Sequence, residues 1–295
     1  MLKLVLPSGS LQQGTLDLFA AAELGISMPD SRSYDATVDD YRISSVRWMR
    51  PQEIPVYVSQ GLFDVGIGGY DWVIERGCED TVEIVAKLNY SKRTNKPVRL
   101  VVAVANDSGI DSPQEIKPGS RVTTEYVKIA QKYFEKLGVP VHIEFSYGTT
   151  EAKVPEIADI VVELTESGSS LRANDLKIVD TIMESSTVLM ANKDSWKDPQ
   201  KRRHIDDLVT LLLGVLHARG KVLMKMNVAK ADLDAVLKVL PSMKTPTISS
   251  LSGEREEYCA VESVVEKSGI NLLIPRLKAA GASDIIELPI TKVIP

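Results

Sequence analysis

The sequence has 295 residues, of which 44% are hydrophobic and 25% charged, and its formal net charge is -5. This composition is typical of a folded chain with two or three domains of roughly 100–150 residues, and the acidic total argues against a nucleic-acid partner. Two distant cysteines, no signal-peptide pattern and no apolar run near the roughly 20 residues of a membrane span predict a cytoplasmic protein with no membrane partner.

Short runs of Val, Ile and Leu alternate with helical patterns over the first two thirds of the chain. The predicted strands are 2–6, 64–67, 98–104, 121–123, 141–145 and 159–164. The predicted helices are 15–24, 52–60, 71–76 and 126–137. This alternation predicts an α/β fold with mainly parallel sheets, and strand 98–104 is apolar enough to be buried on both faces, as parallel strands are.

The last third has a different order of elements. The predicted strands are 221–227, 247–251, 258–265 and 284–289, and the predicted helices are 231–239 and 271–280. This β-α-β-β-α-β order is typical of a ferredoxin-like α+β domain. We interpret the long predicted helix 198–218 as the spacer between a catalytic body and this smaller domain.

Residues 157–171, IADIVVELTESGSSL, have the pattern of a phosphate-binding segment. A buried strand runs into a Ser/Gly/Thr loop and then a helix, so loop amides, hydroxyls and the helix N-terminus can face one anion. The candidate phosphate ligands are Thr165, Glu166, Ser167, Gly168, Ser169, Ser170 and Leu171. Glu163, at the end of the strand, is a candidate acceptor for ribose hydroxyls. The alternative is a solvated loop whose serine caps a helix.

Two further glycine-containing segments lie at the ends of predicted strands, LPSGSL at 6–11 and DVGIGGYD at 64–71. A glycine turn alone is weak support for a ligand site. Three such turns can nevertheless line one crevice, where open α/β sheets bind ligands.

Taken together, these segments resemble the long form of the ATP phosphoribosyltransferase family. LPSGSL is similar to the family's LPKGRL, and DVGIGGYD to DxGIxGxD. Gly148–Glu151 (GTTE) is similar to the family's GSVE, and residues 159–174 are similar to its DAIVDLVxTGxTLxAN. PSMKTPTI (241–248) and GASDI (281–285) are similar to the regulatory domain of the long form. Ser8 and Ser10 stand where the family has Lys and often Arg, so the resemblance requires another charge near pyrophosphate, from magnesium, Arg32 or Arg47.

The resemblance implies a two-lobed catalytic body like type II periplasmic binding proteins, with the active site in the cleft. The implied domains are 1–94 with 182–220, 95–181, and a regulatory domain, 221–295. The implied reaction is attack of N1 of ATP on phosphoribosyl pyrophosphate with release of pyrophosphate, the first step of histidine biosynthesis. Mg²⁺ is the implied cofactor, histidine the implied inhibitor, and a homo-oligomer between dimer and hexamer the implied assembly.

The resemblance also suggests site residues. Those suggested at the reacting centre are Glu151, Asp159 and Glu163, with Glu163 also a candidate magnesium contact through water. Those on the pyrophosphate side are Ser8, Gly9 and Ser10, and those on the ATP side are Asp64, Gly66, Gly68, Gly69 and Asp71. Those suggested for histidine are Asn227, Met243, Thr247, Ala282, Ser283 and Asp284. For Glu151, capping of the following helix is an equal alternative.

Two other functions are consistent with the sequence. A cytoplasmic two-lobed small-molecule sensor would have the same fold without catalysis. Another phosphoribosyltransferase would act on a nucleobase or on anthranilate instead of ATP. The ferredoxin-like tail and the DVGIGGYD turn argue against the second alternative.

Overall fold

The computed structural model describes residues 1–30, 33–90, 98–243, 245–252 and 257–295. The chain divides into two units, Met1–Leu212 and Leu213–Pro295. The boundary lies inside one long helix. Among the described residues, no helix combines the length and the apolar character that crossing a membrane requires.

The first unit contains two lobes, and a mixed sheet forms the first of them. Its strands are Leu2–Pro7 (β1), Ile26–Ser27 (β2), Asp35–Val38 (β3), Ile43–Met49 (β4), Val65–Gly69 (β5), Val82–Lys87 (β6) and, much later in the chain, Thr187–Asn192 (β12). They lie in the order β2-β3-β4-β1-β5-β12-β6. The helices of this lobe are Gln12–Ala21 (α1), Ile54–Ser59 (α2), Tyr70–Arg76 (α3) and Lys193–Lys197 (α6).

A second mixed sheet forms the other lobe. Its strands are Val98–Ala105 (β7), Arg121–Thr124 (β8), His142–Phe145 (β9), Ile160–Thr165 (β10) and Leu176–Ser185 (β11). They lie in the order β11-β7-β10-β8-β9. The helices of this lobe are Val127–Leu137 (α4) and Ser169–Ala173 (α5). The chain returns to the first lobe between β11 and β12, at Ser186; the predicted outward crossing lies mostly in 91–97, outside the described residues.

Strand β7 lies at the centre of the second lobe and is buried on both faces, as predicted. Val102 packs with Phe134 of α4 on one face, whereas Val101 and Ala103 pack with Leu171 of α5 on the other. However, β7 is antiparallel to both neighbours, β10 and β11. The prediction of mainly parallel sheets was therefore wrong, because the burial of a strand depends on the layers that cover the sheet and not on strand direction.

Several helix boundaries also differ from the prediction. Helix α1 begins at Gln12, three residues early, because the short 3-10 helix Gly9–Leu11 runs directly into it. Helix α2 begins at Ile54, after a turn that contains Pro51. Helix α4 ends at Leu137 as predicted, and the left-handed backbone of the next residue, Gly138 (φ 75°), closes the last turn.

The second unit has the predicted β-α-β-β-α-β order. After the helix Pro199–Ala218 (α7), its elements are Lys221–Ala229 (β13), Leu233–Val239 (α8), Thr247–Ser250 (β14), Tyr258–Glu266 (β15), Ile270–Ala279 (α9) and Ala282–Pro289 (β16). The strands form one antiparallel sheet in the order β14-β15-β13-β16. One face of this sheet packs under the two helices, so the unit has a hydrophobic core of its own.

Candidate active site

A cleft of about 440 Å³ is lined by residues from both lobes of the first unit. The first lobe contributes Ser10 and Gln52, and the second contributes Glu125 and Glu163. The apolar and aromatic residues of the lining are Leu11, Pro51, Trp72, Leu88, Tyr90, Val98, Tyr126 and Leu164. An apolar slot with a few polar groups suits a flat heteroaromatic ring that also needs hydrogen bonds.

A smaller cavity of about 190 Å³ adjoins this cleft at the predicted phosphate segment. The two regions share Glu125, Glu163 and Leu164 in their linings. The small cavity is completed by Gly148, Thr149, Thr150, Glu151, Thr165, Ser170 and Leu171. The loop after β10 and the apolar slot are therefore neighbours, separated by the same three residues.

The loop after β10 is held by its own hydrogen bonds. The amide of Gly168 donates to the Thr165 hydroxyl at 2.8 Å, and the Ser167 hydroxyl donates to the Ser169 hydroxyl at 3.0 Å. Helix α5 has only five residues, so its dipole is much smaller than the sequence suggested. An anion here depends mainly on the loop amides, which the turn at Gly168 (φ 71°) orients.

Arg172 adds a cation beside this loop that the sequence analysis did not select. Its guanidinium donates to the carbonyl of Ser167 at 2.9 Å, and a Cβ built on Gly168 would lie 2.9 Å from its Nη1. The spacing could have indicated this contact, because a residue four positions after Gly168 lies one helical turn later on the same face of the helix.

Glu163 lies where the cleft and the small cavity meet. Burial raises the pKa of its carboxyl to about 7, opposed by hydrogen bonds from Thr150 and from the amide of Leu164. Glu151 belongs to a short 3-10 helix, Thr150–Lys153, and its carboxylate accepts a hydrogen bond from the Ser170 hydroxyl. Glu151 thus holds the first turn of α5 while it lines the small cavity.

Asp159, in contrast, lies away from the cleft. It directly precedes β10 and forms an ion pair with Arg121 at 2.7 Å, which lowers the pKa of its carboxyl. Glu163 lies four residues further along the strand, roughly 13 Å away at about 3.3 Å per residue. The expectation that Asp159 acts at the reacting centre does not fit this geometry, because the ligand cavity is at the other end of β10.

Asp64 has a similar position at the amino end of β5. Its carboxylate pairs with Lys201 at 2.7 Å and accepts hydrogen bonds from the Ser195 hydroxyl and the Lys3 amide. Burial acts to raise the pKa of Asp64, but these partners together hold it below its usual value. Asp64 therefore joins β1, β5 and α7 and does not reach the cleft, contrary to the suggested ATP contact.

The glycines of the same segment have different roles. A Cβ on Gly66 would lie 2.7 Å from Ile54 and 2.8 Å from Val58, so this glycine allows α2 to pack on β5. Gly68 lies within van der Waals reach of Met190, on the neighbouring strand β12. Gly69 lines the cleft.

The turn after β1 is close to Arg50. β1 and β4 are parallel, with Pro7 opposite Met49, so Ser8 and Arg50 follow adjacent strand ends. A Cβ on Gly9 would lie 3.9 Å from Nη1 of Arg50, and Ser8 and Arg50 line the same open pocket. Arg47, one of the suggested cations, is already paired with Asp35 at 2.6 Å. The other, Arg32, is outside the described residues.

In the second unit, the residues suggested to bind free histidine form two groups. The side-chain amide of Asn227 donates to the Asp284 carboxylate at 2.8 Å, and the backbone carbonyl of Asn227 accepts a hydrogen bond from the Ser283 hydroxyl. Ala282 is buried beside them on β16. Thr247, at the start of β14, and Met243, four residues earlier in the chain, are exposed, and β15 separates β14 from β13. Within one chain, these two groups therefore do not meet.

Known proteins are similar to this chain over its full length. A family profile described as "HisG: ATP phosphoribosyltransferase" matches residues 50–214, and "HisG, C-terminal domain" matches residues 218–292. Relatives named ATP phosphoribosyltransferase from Pelotomaculum thermopropionicum and Desulforudis audaxviator are 49% and 48% identical, covering 100% of this chain and 99% of theirs. A solved HisG:HisZ ATP phosphoribosyl transferase complex from Thermotoga maritima has a similar fold, with a TM-score of 0.61 at 24% identity over 74% of this chain and 99% of that chain.

Proposed function

The chain belongs to the ATP phosphoribosyltransferase family, and we propose that it transfers the phosphoribosyl group of phosphoribosyl pyrophosphate to N1 of ATP. It is a glycosyltransferase of the first step of histidine biosynthesis. The observation that supports this reaction best is that the two cavities share Glu125, Glu163 and Leu164, because one holds a phosphate-type loop and the other suits a purine. A biosynthetic enzyme of this kind is expected to work in the cytoplasm.

The proposed arrangement assigns one part of the substrates to each region. The 5′-phosphate binds the loop amides between Ser167 and Leu171, beside the guanidinium of Arg172. The ribose hydroxyls donate to Glu163, and the adenine lies in the apolar slot between the lobes. The pyrophosphate points to the turn at Ser8 and to Arg50.

In the proposed reaction, N1 of adenine attacks the anomeric carbon as the bond from that carbon to the pyrophosphate oxygen breaks. The enzyme needs no covalent nucleophile, since it positions two substrates and stabilises the charge on the departing group. Magnesium, when bound, supplies further neutralisation of that charge. Among the described residues no cluster of three or more His, Cys, Asp or Glu side chains could hold a metal. The carboxylates of Glu125 and Glu151 near the loop suit an ion held mainly by substrate oxygens and water.

We expect phosphoribosyl transfer to ATP and no transfer to free adenine or anthranilate. The triphosphate and ribose of ATP give binding energy that free adenine lacks, and anthranilate has no purine ring for the slot. The measurement is pyrophosphate release with each acceptor at equal concentration. Turnover with anthranilate would indicate another phosphoribosyltransferase, and ligand binding without turnover would indicate a sensor.

We also propose that the second unit binds histidine as an inhibitor and that the protein assembles between dimer and hexamer. Asn227, Ser283 and Asp284 present amide, hydroxyl and carboxylate groups at one place, which suits an amino acid's ammonium and carboxylate. Met243 and Thr247 lie on another edge, so they would complete such a site only from a second copy.

Replacing Asn227 by alanine should raise the histidine concentration for half inhibition at least tenfold, within the usual range of allosteric coupling. The turnover without histidine should not change, because this unit has its own core. The assay is initial rate against histidine concentration. Lys225→Ala is the control, since Lys225 pairs with Glu262 on the same sheet. A wild-type enzyme that millimolar histidine does not inhibit would contradict the proposal.

A further inference from the structure

Helix α3 of the first lobe carries two buried carboxylates that face the second lobe. Asp71 is 2% exposed and Glu75 is 7% exposed. They are four residues apart and therefore lie on one face of the helix. Acidic side chains are rarely buried unless they are paired or hydrogen-bonded, so their partners identify their role.

Glu75 caps a helix of the other lobe. Its two carboxylate oxygens accept hydrogen bonds from the amides of Lys128 and Ile129, each at 3.0 Å. These amides belong to the first turn of α4, where backbone donors have no partner within the helix. The N-cap residue of α4, Tyr126, makes no side-chain capping bond. A carboxylate from the first lobe therefore supplies the cap, with the charge that the helix N-terminus favours.

Asp71 makes a second set of hydrogen bonds to the other lobe, at the start of α4 and at the end of β11. It accepts hydrogen bonds from the Tyr126 hydroxyl at 2.9 Å and from the Ser185 hydroxyl, at the end of β11. Burial raises the pKa of the Asp71 carboxyl, and that of the Tyr126 hydroxyl rises well above its usual value for the same reason. The ring of Tyr126 also stacks on Trp72, with centroids 4.5 Å apart. Three residues of α3 thus hold the start of α4 and the end of β11.

The segment held in this way forms a wall of the cleft. Tyr126 lines the cleft, and Glu125 lines both the cleft and the small cavity. Gln52 of the first lobe reaches towards Glu125, with 3.4 Å between Nε2 and Oε2. The contacts of α3 therefore fix the position of Glu125 and Tyr126, in the second lobe, relative to the first lobe.

We propose that Asp71 and Glu75 are positioning residues, which brace α4 against α3 so that the ligands of the two lobes are aligned for transfer. Asp71 also lines the cleft, so its suggested ATP contact stays a prediction beside this positioning role. The inference rests on the proposed function for the identity of the two ligands. Each lobe keeps its own ligand-binding residues when the brace is weakened, but the reacting atoms are misplaced. Small misplacements of this kind reduce turnover strongly.

The test is Glu75→Ala, with Glu75→Gln as the conservative variant that retains one acceptor. We expect kcat per folded enzyme to fall at least tenfold in Glu75→Ala and less in Glu75→Gln. The separate dissociation constants for ATP and for phosphoribosyl pyrophosphate should change less than threefold. Glu135→Ala is the control, because Glu135 is an exposed acid on α4 whose carboxylate accepts a hydrogen bond from Gln131 on the same helix. If Glu75→Ala does not fold, Tyr126→Phe removes one hydroxyl and tests the same brace.

A distance measurement tests the brace without any activity. Spin labels at Asp17 on α1 and Lys136 on α4, with Cys78 and Cys259 replaced by alanine, report the separation of the lobes. We expect the distance distribution to broaden or shift in Glu75→Ala and to stay unchanged in Glu135→Ala. An unchanged distribution together with unchanged kcat would overturn the proposal. If the wild type transfers no phosphoribosyl group, the proposed function fails, whereas the spin-label distances still test the brace.

Discussion

Replacing Gly168 by valine is expected to raise the dissociation constant of phosphoribosyl pyrophosphate at least tenfold, about 1.4 kcal/mol. Gly168 has a left-handed backbone, φ 71°, which a β-branched residue adopts only with strain. A Cβ there would also lie 2.9 Å from Nη1 of Arg172, the side chain that holds the Ser167 carbonyl. The loop amides and the nearby guanidinium would both be displaced from the phosphate.

Isothermal titration calorimetry with each substrate measures this effect. ATP affinity should stay nearly unchanged, because the apolar slot is built by other residues. Gly119→Val is the matched control, since Gly119 has a similar backbone (φ 84°) and no atom within 4 Å of a built Cβ. Gly119 also precedes β8, at the strand end away from the cavity. Equal weakening of both substrates in Gly168→Val would show that the loop is not specific to one of them.

The loop after β10 was predictable because its information is local. A strand, a glycine turn and a short helix follow one another in 159–174, and the sequence predicted all three. The length of α5 was not predictable, because Asn174 and Asp175 end it after five residues without a proline or glycine signal.

Two acids that the resemblance suggests as ligand contacts lie at the ends of their strands that face away from the cavity. Asp64 and Asp159 each precede a strand, and the cavity lies after the strands, where βα loops collect. Their motifs drew attention to them, but their partners, Lys201 and Arg121, come from other elements. The sequence order within each strand was enough to separate these positions from Gly69 and Glu163.

The inter-lobe residues could not be predicted from single segments. Glu75 meets the amide of Lys128 at a separation of 53 positions, and Gln52 meets Glu125 at a separation of 73 positions. Such pairs depend on how two sheets pack, which no local pattern encodes. The same reason explains why Arg47 was considered and Arg50 was not, since only the register of β1 with β4 brings Arg50 to the turn at Ser8.

Arg50→Met is expected to lower kcat by roughly 10²–10³, the usual cost of removing one group that stabilises charge in the transition state. Arg50 is exposed, it follows the end of β4 beside Gly9, and no ion pair to it occurs within the described part of the chain. Its charge is therefore available to the departing pyrophosphate. ATP binding should weaken much less, because the adenine slot does not include this side chain.

The measurements are steady-state turnover and the dissociation constant of pyrophosphate alone. Arg47→Met is the matched control, three residues earlier, and should have little effect because Arg47 is occupied by Asp35. Adding Ser8→Lys to Arg50→Met should restore part of the turnover and of the pyrophosphate affinity, since a lysine at Ser8 would place a charge beside the same turn. If Arg47→Met lowers turnover and Arg50→Met does not, Arg47 supplies the charge that the family's lysine would supply at position 8. The assignment of this role to Arg50 would then be wrong.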